Sequence, residues 1–263
     1  MSIALTNACE LACPYCYAAK APARNRADQV LEWTRELDIG GGLGVGFGGG
    51  EPSLFPGFAD LCQQVHAGTG LAVTFTTHGH RFRPDLVSQL SGAVDFIRLS
   101  MDGIGPTYER LRGRSFAEFR EKLVLVRETA SFGINMVLNA DTIGDLAHAA
   151  TFAFSEGARE LLLLPETEPD GRLSCDGATL ERAAEWITAN HEHVRLATSD
   201  HAVEALGVPR LPTAGADPSL DFMHIDAFGM LKFGAFERHG AKLEQGAALL
   251  PAIEALRAKR SAT

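Results

Sequence analysis

The sequence predicts an α/β protein built on a parallel sheet, and three observations lead there. Short apolar runs alternate with amphipathic stretches at about 25 to 35 residues per unit, the spacing of βαβ crossovers. The chain has 263 residues, 46% hydrophobic and 22% charged, which suits one large globular domain. It shows no internal self-similarity and no low-complexity segment, which excludes a solenoid. Six units can be traced, fewer than a closed eight-stranded barrel of about 250 residues requires. Spacing therefore leaves open an incomplete barrel and a doubly wound sheet.

Taken in order, Ser2-Ile3-Ala4-Leu5-Thr6 reads as a short buried strand. Its position at the start predicts no N-terminal accessory domain. Val30, Leu31, Trp33 and Leu37 recur at near-helical spacing and predict a helix from Ala27 to Leu37. Gly40 to Pro52 is glycine-rich at both ends with a strand between, and the glycines mark turns or close backbone approach. No GK[ST] follows, so a phosphate loop is not indicated. A helix from Phe58 to Val65 places Cys62 inward as a small core residue. Strands are expected at Leu71 to Thr76, Val94 to Ser100, Gly133 to Asn139 and Leu161 to Leu164. Helices are expected at Arg83 to Leu90, Phe116 to Ala130, Ile143 to Glu156 and Thr179 to Asn190. Phe222 to Gly234 has the form of a hairpin turning at Asp226 to Gly229, and Leu249 to Lys259 reads as a final amphipathic helix.

Chemistry concentrates after the first strand. Cys9, Cys13 and Cys16 are three of only five cysteines, spaced C-x3-C-x2-C. Thiolates are soft ligands that suit iron–sulfur clusters and zinc. Structural zinc almost always takes four protein ligands, and no fourth stands nearby, since the next cysteine is Cys62. An iron–sulfur cluster with one open iron, a zinc knuckle and three unrelated core cysteines all remain compatible with the triplet.

The triplet with Tyr15 before Cys16, followed by Gly49-Gly50-Glu51-Pro52, resembles the radical S-adenosylmethionine (SAM) enzymes. Ser100-Met101-Asp102-Gly103 with Tyr108, Arg112 and Gly113 resembles their peptide-modifying SPASM branch, and the similarity covers residues 1 to 175. The resemblance implies a partial (β/α)6 TIM-type barrel, residues 1–175, with a helix, a hairpin and a terminal helix in 176–263. It implies one 4Fe–4S cluster held by Cys9, Cys13 and Cys16, with SAM on the open iron. It further implies SAM contacts at Tyr15, Gly49, Gly50, Glu51, Ser100, Arg112, Asn139 and Leu163. Glu51 and a glycine carbonyl would take the ammonium, and Ser100 and Arg112 the carboxylate, for which a guanidinium fork is suited. Arg110 and Arg114 compete with Arg112 for that assignment.

The sequence also departs from the family. His78 stands where relatives read asparagine, as a turn residue or a substrate-facing acid–base group. No cysteine follows Cys175, so the auxiliary clusters of the SPASM branch, expected to use positions near Thr213 to Gly215 and Gly234, cannot assemble. The hairpin is then expected to serve as a lid or wall, which puts His224 and Asp226 near the mouth, while Asp221 and the other charged residues of the tail are expected on the surface. Cys175 is either an incidental loop cysteine or a hydrogen-atom donor of the kind that peptide epimerases use.

Lys and Arg total 24 against 33 Asp and Glu, a formal charge of −9, which predicts no nucleic-acid partner. The absence of a run of about 18 apolar residues predicts no membrane span. No basic stretch precedes an apolar one at the start, and the cysteines cluster instead of pairing, so a reducing cytoplasm is expected. The resemblance implies reductive SAM cleavage, a 5′-deoxyadenosyl radical, and hydrogen abstraction from a ribosomally made peptide that is crosslinked, thioether-bridged or epimerised. A small metabolite (nucleotide, sugar or amino acid) is the alternative substrate, and a degenerate metal-binding module the third reading. Implied partners are an electron donor such as flavodoxin or ferredoxin and a separate leader-peptide-binding protein.

Overall fold

The computed structural model describes residues 1–19, 21–199, 202–208 and 222–261. Its first half alternates strand and helix: β1 (Ser2–Thr6), α1 (Ala27–Ile39), β2 (Gly44–Gly49), α2 (Phe58–Gly68), β3 (Ala72–Thr77), α3 (Pro84–Leu90) and β4 (Phe96–Ser100). Two helices follow, α4 (Gly105–Arg112) and α5 (Phe116–Thr129), then β5 (Ser131–Leu138), α6 (Leu146–Ser155), β6 (Leu161–Pro165) and α7 (Gly177–Asn190). The remainder holds β7 (Leu196–Thr198), β8 (His224–Ile225), β9 (Met230–Lys232), β10 (Ala241–Lys242) and α8 (Leu249–Ser261). The described strands make one open sheet in the order β10-β9-β8-β1-β2-β3-β4-β5-β6-β7. It is parallel from β8 through β7 and antiparallel at the β8–β9 and β9–β10 pairs.

The side-chain period of two sorts the strands into two faces. Val73, Phe75, Ile97, Leu99, Ile134, Met136, Leu161 and Leu163 are all buried against the helix layer. Phe75 packs edge-on to Phe58 of α2 at 5.1 Å. The opposite row, in register across strands, carries Thr76, Arg98, Ser100, Asn135, Leu162 and Leu164. It faces the hollow of the open barrel. Side chains cap two of the helices: Ser115 and Asp176 accept from the backbone N–H of Glu118 and Thr179 at the starts of α5 and α7.

Three elements differ from expectation. Helix α4 is short and largely polar, and it buries only Tyr108 and Leu111, so no apolar period announces it. Strands β7 and β10 have three and two residues, too few to show alternation. Pairing crosses residue 175 at both edges of the sheet, because β7 extends β6 and β8 extends β1.

The hairpin does not fold over the barrel mouth. Strand β8 lies parallel to β1 with Ser2 opposite His224 and Ile3 opposite Ile225, so it lengthens the sheet at the beginning of β1. His224 Nδ1 meets Ser2 Oγ at 2.7 Å. Asp226 accepts from the N–H groups of Phe228 and Met230 and pairs with Lys232 at 2.6 Å, closing its own turn. The backbone N–H of an edge strand needs a partner, and β1 finds one in the hairpin. His224 and Asp226 are therefore structural here, and Asp221 and Thr213 to Gly215 lie outside the described residues. What reaches the barrel opening is the segment after β9. Phe236 packs on Tyr17 of the cysteine loop, with ring centroids 4.7 Å apart, and Arg238 pairs with Asp170 beyond β6 at 3.3 Å. Among the described residues, no helix is long and apolar enough to cross a membrane.

Burial lowers the pKa of His224 to about 4; Asp226 opposes that shift and Lys232 adds to it. A histidine held neutral in the fold takes up its proton first in the unfolded chain, so stability falls as pH drops from about 6.5 towards 4. Urea titrations at stepped pH are expected to show this loss, and His224→Asn is expected to flatten it.

Candidate active site

The cysteine loop is anchored by the glycines at the end of β2. Gly50 N–H donates to Thr6 O and Glu51 N–H to Ala8 O, both at 2.7 Å. This contact has no room for a side chain. A Cβ at Gly50 would lie 2.2 Å from Ala8 O, and one at Gly49, where φ is +115°, 2.3 Å from Thr6 O. The two backbones lie so close that only glycine fits. Cys9, Cys13 and Cys16 are all free thiols on the loop so anchored. Cys9 is exposed, and Cys13 and Cys16 are half-buried. Burial raises the Cys9 pKa against the help of the Leu11 N–H, and Glu51 and Glu10 raise it further. Thiolate ligation at this loop therefore releases a proton.

Glu51 is fully buried and is the hub of the site. Its carboxylate accepts from Ser53 N–H and Oγ, from Thr77 Oγ1, and from His78 N–H at 3.1 Å. His78 is 4% exposed, which a solvated turn residue would not be. Its Nδ1 accepts from His80 N–H, so Nε2 carries the proton and lies 3.2 Å from Glu10 and 3.3 Å from Glu51. Cys9, Glu10 and His78 thus bring a thiol, a carboxylate and an imidazole within 4.8 Å of one another.

A second buried carboxylate, Asp102, stands inside Ser-Met-Asp-Gly, where the motif alone assigns it no role. Its Oδ1 accepts from Val137 N–H at 2.6 Å, and its Oδ2 accepts from the Tyr15 hydroxyl at 2.5 Å and pairs with Arg112. Arg112 Nη1 also reaches Cys13 Sγ at 3.6 Å, while its buried Nε has no hydrogen-bond partner among the described residues. Burial works against the guanidinium charge, but Asp102, Tyr15 and Cys13 more than offset it and raise its pKa. Burial and then Asp102 raise the pKa of Tyr15, which keeps its proton to donate. Arg110 is exposed on Asp141 and Arg114 faces outward, so Arg112 is the arginine aimed at the cysteine loop.

Ser100 ends β4 on the hollow-facing row, and the carbonyl of neighbouring Asn135 accepts from Met101 N–H. Asn139 binds its own turn through Asp141 and Thr142 and donates Nδ2 to Glu166 at 2.7 Å. Cys175 N–H donates to Glu166 O at 3.1 Å, which brings Cys175, Glu166 and Asn139 together where β5 and β6 exit. Leu163 points the other way, 1% exposed in the helix-facing core beside Met136. Period-two alternation gives the hollow to Leu162 and Leu164, so the Leu163 side chain implied as a SAM contact faces the helix layer instead. The residues fit an iron–sulfur cluster that chelates an amino acid: three free thiols on one loop, an orphaned buried guanidinium N–H beside them, and a glycine cradle leading into a buried carboxylate.

The family model of the Radical SAM superfamily matches residues 3–153. The PqqA peptide cyclase of Ruegeria pomeroyi is 32% identical over 168 residues, covering 60% of this chain and 44% of that protein. The sporulation killing factor maturation protein SkfB of Bacillus subtilis is 29% identical over 172 residues, 59% of this chain and 41% of that protein. The chain thus spans less than half the length of these two curated relatives. Streptococcus suis SuiB bound to its precursor peptide SuiA superposes with a TM-score of 0.72 over 97% of this chain and 66% of SuiB, at 16% identity, a likeness of fold.

Asp102→Ala is expected to lower stability by about 3–5 kcal/mol, because it leaves the buried Arg112 charge unpaired; urea unfolding checks this. Gly50→Ala is expected to keep the helical circular-dichroism signal and lose most of its reconstituted iron, because the added methyl displaces the loop that carries the thiols.

Proposed function

The chain belongs to the Radical SAM superfamily, which implies a 4Fe–4S cluster and SAM, and on that premise we propose that it modifies a ribosomally synthesised peptide by radical chemistry. With SAM bound, the cluster would supply one electron that breaks a carbon–sulfur bond, releasing methionine and a 5′-deoxyadenosyl radical that takes a hydrogen atom from the substrate.

The observation that carries this reading is the pair of backbone hydrogen bonds joining Gly50 and Glu51 to the cysteine loop. They put a buried carboxylate beside the start of the loop that carries three thiols, as a site for a cluster and an amino-acid ligand demands. Cys9, Cys13 and Cys16 hold the cluster. Glu51, with the carbonyl of Gly49 or Gly50, takes the SAM ammonium, and the Ser53 and Thr77 hydroxyls turn aside to admit it. Arg112 Nε, with Ser100, takes the carboxylate; Asp102 and Tyr15 hold the guanidinium in position. Asn139, joined by Glu166, serves the ribose, and Leu162 and Leu164 flank the base. His78 positions Glu51 from behind.

A peptide substrate accords with a relative named as a peptide cyclase, another named for maturation of a sporulation killing factor, and a neighbour in fold bound to a precursor peptide. The chain lies in the part of the fold that surrounds the radical; a separate protein would recognise the leader, and a flavodoxin or ferredoxin would supply the electron. Cys175 is the hydrogen donor in this reading. Burial, then Asp176, pushes its thiol pKa up to about 11, so it keeps its hydrogen at neutral pH.

Anaerobic reconstitution is expected to load about four irons per chain and, with dithionite, to convert SAM to 5′-deoxyadenosine. One zinc without cleavage would sink the reading, and turnover of a nucleotide or sugar in place of a precursor peptide would move the substrate to small metabolites. Cys175→Ala is expected to keep 5′-deoxyadenosine formation and abolish epimerised product; product that survives the substitution removes Cys175 from the chemistry.

A further inference from the structure

On a chain of formal charge −9, one strongly basic hollow stands out. About 220 Å³ in volume, it is lined by Arg81, Arg83, Arg114 and Lys122, with Glu10, Glu118 and His80. Four cations stand against two carboxylates. Glu10 is held by Arg81 at 3.2 Å and by His78 at 3.2 Å, and Glu118 faces His80 Nδ1 at 3.6 Å. Arg83 pairs with Asp85 yet remains 61% exposed, and Arg114 is exposed. The floor is unsatisfied. The His80 side chain is 4% exposed, and its Nδ1, like the buried Nε of Arg81, has no hydrogen-bond partner among the described residues.

The place matters as much as the charge. Glu118 and Lys122 lie on α5 and Arg114 just before it, while Glu10 follows β1 and His80, Arg81 and Arg83 follow β3, so the hollow lies between the cysteine loop and the start of α5. The row containing Ser100, Asn135 and Leu162, where a substrate must meet the radical, contributes none of its lining residues. Glu10 belongs to both the hollow and the cysteine loop, and its carboxylate lies within 4.8 Å of Cys9 Sγ. Cys9 itself is exposed, so the hollow adjoins an accessible thiol of the cysteine loop.

We propose that this hollow docks an acidic one-electron donor protein, whose surface carboxylates seat on Arg83, Arg114 and Lys122 and bring its redox group to the Cys9 side of the cluster loop. The inference rests on the radical SAM reading and adds the route of electron entry. The donor's reduced flavin or iron–sulfur group loses one electron, the cluster gains it, and no bond forms or breaks in the transfer. Complementary charge at such a surface sets encounter rate and salt dependence more than buried contact does.

The test reverses two charges outside the SAM site, Arg114→Glu with Lys122→Glu, using Arg114→Gln with Lys122→Gln as a milder pair. The probe is an FMN-loaded acidic flavodoxin, titrated calorimetrically into the cluster-loaded chain at about 50 and about 300 mM NaCl, where screening differs strongly. The reversal is expected to weaken binding about tenfold at low salt and to remove most of its salt dependence, with the neutral pair in between. Flavodoxin-driven SAM cleavage should fall in parallel, while dithionite-driven cleavage stays at the wild-type rate. Unchanged flavodoxin affinity overturns the docking site while dithionite-driven cleavage leaves the radical reading intact. A raised KM for the peptide with donor affinity unchanged also overturns it and makes the hollow a peptide site. A wild-type chain that dithionite cannot drive takes both readings down together.

Discussion

Everything at the candidate site depends on two backbone hydrogen bonds, Gly50 N–H to Thr6 O and Glu51 N–H to Ala8 O. Each contributes only about 0.5–1.5 kcal/mol net, so their importance is positional. They join the exits of β1 and β2 so closely that glycine is required at 49 and 50, and they turn the next side chain inward. Glu51 is consequently buried, which costs several kcal/mol for an ion unless donors converge on it. Ser53, Thr77 and the N–H of His78 are those donors. The third strand is thereby tied to the first two through one carboxylate. Burial of a charge here is the consequence of bringing three loop exits to one point.

Asp102 does the same work on the other side of the cysteine loop. It connects β4 to β5 through Val137 N–H and reaches the loop through Tyr15 and Arg112. The loop between Ala8 and Cys16 belongs to no regular element, so it depends on contacts from outside, the backbone N–H of Glu51 on Ala8 O and the Asp102 carboxylate on Tyr15, beside its own bond from Cys16 N–H to Cys13 O. Glu51 sets where the loop begins, and Asp102 holds the aromatic ring just before Cys16. Two buried charges are costly in isolation; each is compensated by partners on a different strand exit, which makes the barrel mouth a single cooperative unit.

Much of this could be read from the chain because period and spacing are physical. The parallel units and the burial of Cys62 follow from rules that operate within a few residues, whereas Glu51 after Gly49 and Gly50 stood out only through the family resemblance. Asp102 escaped because an acid in a turn motif reads as solvated until its partners, 87 and 10 positions away at Tyr15 and Arg112, are known. The facing of Leu163 could not be read because a run of four leucines shows no alternation of its own; the register with Asn135 and Met136 decides which ones face the hollow. His78 resembled a turn residue because its burial comes from Glu10 and Glu51, both distant in sequence. Helix α4 and strands β7 and β10 are too short or too polar for periodicity to reveal.

The hairpin was the largest displacement from expectation, and its reason bears on how the barrel is closed. Strand β1 is flanked by β2 on one side only, and its other edge carries backbone groups that require partners. The hairpin supplies them, and its position there excludes a place across the mouth. The opening between the first and sixth strands is bridged instead by the chain that follows, through Phe236 on Tyr17 and Arg238 on Asp170. Tyr17 lies one residue beyond Cys16, so the same ring contact that narrows the opening also braces the cysteine loop from outside. The loop is therefore held at its start by the glycines, at its end by Asp102 and Phe236, and left accessible at Cys9, beside the basic hollow.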